Sequence, residues 1–213
     1  MSTTNPARAA RGRRSARPSG DDRQAAILGT AVRLLEQKKF NDISVDDLAK
    51  GAGLSRPTFY FYFASKEAVL LSLLDPLIQQ ADKGFDGAME KLPADPRRAF
   101  RVGIRMFFDA FAAFPVIARA GTDAVATSPE ARELWVGFMQ KWINQTAVLI
   151  EAERNRGAAP DTIPALDLAT SLNLMNERMI MATLSDEAGA VARDRIVETL
   201  THVWLTSIYG ETP

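Results

Sequence analysis

Between residues 54 and 66 the chain reads LSRPTFYFYFASK, and this stretch concentrates side chains suited to contact with a polyanion. Arg56 offers a planar guanidinium fork that matches guanine O6 and N7. Thr58 brings a hydroxyl and a methyl, and Tyr60 a hydroxyl on a stiff ring, for base edges or phosphates. Phe59, Tyr60, Phe61, Tyr62 and Phe63 occupy consecutive positions, so on a helix some of these rings must face outward. A second set lies in DLATSLNLMNERMIMATL, where Asn173 and Asn176 stand three residues apart in a segment apolar on most other sides. A buried amide without partners costs about 1–3 kcal/mol. Two on one face therefore imply either a hydrogen-bonded structural network or a polar anchor in a cavity. Catalytic chemistry is poorly supplied: His202 is the only histidine and cysteine is absent. Glu151 and Glu153, two apart, do not face each other on a helix. No enzyme, metal site or cofactor is expected.

Local punctuation defines the elements that must position these residues. Ser44 and Asp47 have capping-box spacing, and Ile43 with Leu48 stands where a hydrophobic staple sits, so a short helix starts sharply there. Gly51 and Gly53 supply freedom for a tight turn; Ser55 then caps a second short helix, with Pro57 tolerated in its first turn. A longer helix precedes the pair, opening at Asp21 or Asp22 and ending near Lys39, with Ile27, Leu28, Ala31, Leu34 and Leu35 on one face. Together these make a helix-turn-helix unit whose last helix reads DNA, with Leu54, Phe59 and Phe63 turned inward. An αα-hairpin with every aromatic in its core is the plainer alternative. The flanking Arg56 and Lys66 weigh against it.

Further helices are expected from Ser65, from Pro96 to Phe114 after Pro93, from Pro115, from Ser128 to before Gly157, from Pro164 to near Ser185, and from about Ala190 to Tyr209. The count is about nine, and no segment alternates as a half-buried strand does, so the fold class is all-α. Pro76 inside the Ser65 helix kinks it, either structurally or as a hinge.

With 213 residues, 46% hydrophobic and 24% charged, the chain can bury a sizeable core. The lack of cysteine, of an 18-residue apolar run and of a secretory leader points to a cytoplasmic protein without a membrane. A formal charge of zero hides an asymmetry. Residues 1–66 hold twelve basic and six acidic side chains, and the remainder fourteen and twenty. Arg8, Arg11, Arg13, Arg14 and Arg17 precede any acid, making residues 1–20 a flexible basic arm, suited to a polyanion or simply solvated. The expected organisation is this arm, a DNA-binding domain over 21–66, and a body over 67–213.

In the body, Phe100, Ile104, Phe107, Phe108, Phe111 and Phe114 recur at helical spacing, as do Trp135, Phe138, Met139, Trp142 and Thr146. Such stripes are core, or the walls of a cavity. On the last helix Ile196, Leu200, Val203, Ser207 and Ile208 form a stripe, with Val197, Trp204 and Leu205 beside it. That is more apolar surface than one core needs, and it predicts a homodimer through helices eight and nine.

Ser44-Val45 through Leu48-Ala49, Gly51, Gly53, Thr58-Phe59-Tyr60, Phe63, Ser65-Lys66-Glu67 and Leu70 resemble the DNA-binding signature of the TetR family of bacterial repressors. The likeness extends along nearly the whole chain to a branch of that family that controls a monooxygenase gene. It implies a nine-helix subunit, a homodimer on double-stranded operator DNA, and release by a hydrophobic small molecule through a change in the separation of the two reading helices. By matched position, Ser55, Arg56, Pro57, Thr58, Tyr60 and Phe61 fall on base or backbone contacts, and Lys66 on a phosphate. The body of such repressors encloses an elongated aromatic tunnel. Here its lining corresponds to Ile104, Phe107 and Phe111, then Trp135, Phe138, Met139, Trp142 and Thr146. Asn173, Asn176 and Glu177 follow on the eighth helix and Trp204 on the ninth. Gln145, Phe100 and Met181 stand where that branch carries Tyr, Trp and Phe. A helical carrier of hydrophobic molecules without specific DNA binding is the alternative.

Overall fold

The computed structural model describes residues 19–89, 92 and 94–210. Among them the chain forms α1 (Gly20–Leu35), α2 (Val45–Gly51), α3 (Arg56–Tyr62), α4 (Lys66–Met89) and α5 (Pro96–Ala112). There follow α6 (Pro115–Thr127), α7 (Pro129–Asn155), α8 (Ala165–Leu184) and α9 (Ile196–Tyr209), with one 3-10 turn at Phe40–Asp42 and no strand. The all-α expectation holds. The arginine arm up to Pro18, Pro93, and the side chain of Phe85 lie outside the described residues.

Capping decides most of the boundaries. Ser19 accepts from the Asp22 backbone N–H while the Asp22 carboxylate accepts from the Ser19 N–H, so α1 starts at Gly20 and Asp22 is the third residue of the helix rather than its cap. Ser44 and Asp47 form the same box at α2. Ser55 caps α3, with Pro57 in the first turn. α1 ends at Leu35, short of Lys39, because the chain then turns into Phe40–Asp42. α9 begins six residues later than Ala190. The segment before it runs through a series of turns tied to the end of α8, where the Thr183 hydroxyl donates to the Val191 carbonyl (2.8 Å) and Arg193 to the Leu184 carbonyl (3.1 Å).

Two apolar cores result. α1, α2, α3 and the start of α4 close around Ile27, Leu48, Phe59, Phe63 and Val69. α4 to α9 close around a larger cluster that includes Phe100, Phe111, Trp142, Ile180, Ile196 and Leu205. α4 runs through both, and α5 packs most heavily against it and against α9. α4 continues as one helix through Pro76.

The predicted dimer stripe on α9 needs correction. Ile196, Leu200 and Ile208 are at most 1% exposed within a single subunit, so they are core of the body and cannot meet a partner. The sequence shows an apolar stripe but not which neighbour covers it, and here α5 and α8 do. The open face holds other residues: Leu166, Ser171 and Leu174 are exposed on α8, and Val203 is half-buried on α9 beside the exposed His202. No helix among the described residues is long and apolar enough to cross a membrane.

Candidate functional site

The turn between α2 and α3 uses its two glycines differently. Gly53 has φ +69°, a conformation side chains resist, and makes the turn itself. Gly51 is still helical; a Cβ there would come within 2.3 Å of the Thr30 methyl carbon, so its hydrogen lets α2 cross close to α1. α3 is thereby held with Phe59 inside (0% exposed) and the opposite face in solvent, where Tyr60 is 45% and Phe61 84% exposed. Ser55, Arg56 and Pro57 are exposed as well, and Thr58 is half-buried. The Arg56 guanidinium lies 3.3 Å from the Tyr60 hydroxyl, to which it donates, and 3.7 Å from an Asp46 carboxylate oxygen. Both partners are exposed, so they preset the fork without tying it down. Ser55 and Thr58 share a hydroxyl hydrogen bond of 2.8 Å.

Lys66, expected at a phosphate, is engaged within the head. Its ammonium donates to the carbonyls of Phe40 (3.1 Å), Asn41 (3.2 Å) and Ile43 (3.0 Å) and stands 4.7 Å from the centre of the Phe40 ring. All three donors are engaged, and they cap the 3-10 turn that joins α1 to α2.

Among the described residues, two narrow cavities lie side by side in the body. The first, about 40 Å³, is walled by Phe100, Ile104, Phe107, Met139, Trp142, Asn173, Asn176, Glu177 and Trp204. The second, about 60 Å³, lies toward the head among Leu70, Leu74, Ile78, Phe111, Gly121, Trp135, Phe138, Glu177 and Met181. Each has room for a few waters. Between them Phe107, Phe111, Trp135 and Trp142 form a closed circuit, with successive ring centres at 4.8, 6.3, 6.2 and 5.2 Å. Of the twelve residues expected along a tunnel, eleven wall one cavity or the other. Thr146, 0% exposed, touches neither and instead accepts a hydrogen bond from the Asn173 amide at 3.1 Å.

That bond separates the two asparagines. Asn173 also donates to the Ala169 carbonyl (2.9 Å), so its amide belongs to a structural network. Asn176, 8% exposed, has a buried Oδ1 with no partner, and the Trp204 indole N–H is buried and unpartnered too. The first cavity thus presents one free acceptor and one free donor. Gln145 Oε1, behind the wall, is likewise buried and unpaired. Glu177 walls both cavities, and burial pushes its carboxyl above the usual range, with Arg178 pulling weakly the other way.

Sequence patterns missed the contribution of α4 and α6. Ala118, Gly121 and Ala124 leave the space that the second cavity occupies, but small residues in a helix read equally as close packing. Asp82 on α4 accepts from the Trp142 indole N–H (2.6 Å) and pairs with Lys141 (2.5 Å), a link across elements that no local pattern announces.

Comparison with known proteins agrees with this division. Residues 27–73 match the model of bacterial regulatory proteins of the tetR family, and residues 100–210 that of the C-terminal domain of the transcriptional regulator EthR. The chain is 70% identical to the HTH-type transcriptional regulator EthR of Mycolicibacterium smegmatis, across 100% of this chain and 98% of that one. It is 59% identical to EthR of Mycobacterium tuberculosis, across 94% of both. Among solved structures, NalD of Pseudomonas aeruginosa, a repressor of a multidrug efflux pump, superposes with a TM-score of 0.69 at 18% identity, covering 89% of this chain and 98% of that one. FadR of Thermus thermophilus in complex with lauroyl-CoA gives 0.61 at 18%, covering 86% and 94%. The helix-turn-helix head, the EthR-type body and the near full-length identity place this chain in the TetR family, as a transcription regulator of the EthR type and not an enzyme.

Proposed function

We propose that the chain is a ligand-responsive repressor: a homodimer that binds double-stranded operator DNA and leaves it when an elongated hydrophobic molecule enters the body. In this reading the arm over 1–20 and the head over 21–66 engage DNA, with Ser55, Arg56, Pro57, Thr58, Tyr60 and Phe61 presented by α3, while residues 67–213 bind ligand and dimerise. Such work is cytoplasmic, and the target is a gene of the monooxygenase type that the resemblance implies.

The observation that carries the reading is the reach of α4. Its first turn seats the head through Lys66, while Leu70, Leu74 and Ile78 wall one cavity and Ala81 the other. A ligand longer than either cavity must part the aromatic circuit, and α4 is packed against both halves of it. The unpartnered Asn176 oxygen and Trp204 N–H supply its polar contacts. Leu166, Thr170 and Leu174 on α8 and Thr199, Val203 and Thr206 on α9, all exposed or half-buried in the single subunit, form the dimer face of this reading.

Footprinting on DNA flanking the protein's own gene, with and without a long-chain ester, tests the proposal. Protection of a two-half-site sequence that the ester removes is the expected result. Ester binding without any salt-sensitive DNA affinity would make the chain a carrier instead.

A further inference from the structure

Glu177 is the one described residue that walls both cavities, and its setting is unusual for a pocket meant only for neutral chains. Among the described residues no lysine, arginine or histidine lines either cavity, and the other charged side chain there is a second carboxylate, Glu67, at the α4 end of the second one. Arg178, adjacent in sequence, turns away to a bidentate pair with Glu187 at 3.1 and 2.6 Å. Asp82 on α4 is already paired with Lys141. A neutral chain laid through the junction would strip the remaining water from Glu177 and supply nothing in exchange, which is costly for a carboxylate.

Three features at the same junction favour a positive group. The circuit of Phe107, Phe111, Trp135 and Trp142 places aromatic rings in the walls of the two cavities that Glu177 spans, and aromatic faces attract cations, the more so when desolvated. Asn176, one residue earlier on α8 and nine-tenths buried, offers an acceptor that no protein donor uses. The cavities extend from the junction in two directions with largely apolar walls, one toward the head and one toward Trp204.

We propose that the site takes amphiphiles carrying a secondary or tertiary ammonium near the middle of two apolar arms, with the charge met by the Glu177 carboxylate, an N–H by Asn176, and the α-methylenes by the aromatic circuit. The inference rests on the ligand-pocket reading above and narrows its ligand class.

Dihexylammonium and its neutral counterpart hexyl hexanoate provide the test, with binding to the full chain read by tryptophan fluorescence and thermal shift. The ammonium should bind wild type about tenfold tighter than the ester. Glu177→Gln should weaken the ammonium about tenfold and leave the ester within about twofold, since tenfold corresponds to one partly buried charge pair. In wild type, ammonium affinity should fall as pH drops through the Glu177 carboxyl range, because the ligand stays charged while its partner is neutralised; Glu67→Gln should retain that pH dependence. An unchanged preference in Glu177→Gln, or an ester that binds wild type more tightly, overturns the inference while leaving the pocket standing. Failure of both compounds to bind overturns the pocket reading and the inference together.

Discussion

Asn173 and Asn176 occupy adjacent turns of α8, and partners alone give them different roles. Asn173 satisfies the Thr146 hydroxyl and the Ala169 carbonyl, so Asn173→Ala should cost about 1–3 kcal/mol in urea unfolding, the price of stranding a buried hydroxyl. Asn176 has no such bond to lose. Asn176→Leu should leave stability unchanged or slightly higher and weaken ligands with an N–H donor about tenfold, read by thermal shift with and without dihexylammonium. Spacing showed that both amides share a face, and could not show which had a partner, because Thr146 is 27 residues away on another helix. The same limit applies at the head. Arg56 is legible as an exposed fork, and Arg56→Ala should lower operator affinity while sparing random DNA, measured by competition. Lys66 falls by matched position on a phosphate, yet three carbonyls from a distant turn hold its ammonium. Lys66→Met should therefore lower the melting temperature of the head and leave the salt slope of DNA binding nearly unchanged.

At the level of elements, helix starts were readable because Ser44, Ser55 and Ser128 each bond a backbone N–H three residues on. The late start of α9 was not readable, since the turns after α8 are tied down by Thr183 and Arg193 side chains rather than by a local cap. Nor was the clasp between α7 and α9. Glu153, 2% exposed, accepts from Tyr209 (2.7 Å) and pairs with Arg156, so this acid is the buried centre of a network. Burial works to raise the Glu153 carboxyl, but the Arg156 fork and Tyr209 hydroxyl outweigh it and hold the group below the usual range. Burial, reinforced by Glu153, pushes the Tyr209 hydroxyl well above its ordinary value. The depressed carboxylate stabilises the fold above its unfolded value of about 4.3 and loses that as pH falls through the folded value; the raised phenol stabilises below about 10 and loses that as pH rises further. From this pair alone, stability by urea unfolding should be flat between those limits and fall on both sides, while the raised Glu177 carboxyl adds a decline as pH rises from about 4.3 through its own folded range. Tyr209→Phe should lower the plateau by about 1–3 kcal/mol and remove the alkaline fall.

For the whole molecule, the outcome turns on which apolar residues a single subunit can cover. Leu200, at 0% exposure, lies in the larger core, so Leu200→Glu buries an unpaired charge and should unfold the body rather than yield a monomer. Leu174 is 50% exposed and Val203 half-buried on the face left open by α8 and α9, so charges there cost a lone subunit little. The double variant Leu174→Glu, Val203→Glu should keep its helical circular dichroism, sediment as a monomer and still bind ester, because neither residue walls a cavity. Operator binding should collapse nonetheless. In the proposed dimer, two reading helices would meet half-sites about 34–36 Å apart, and the second contact would be gained at the effective concentration set by the first. Severing the dimer leaves each α3 with only its own few contacts. A variant that remains dimeric in sedimentation would move the interface off α8 and α9, and a monomer that retains full operator affinity would remove the need for paired heads from the mechanism.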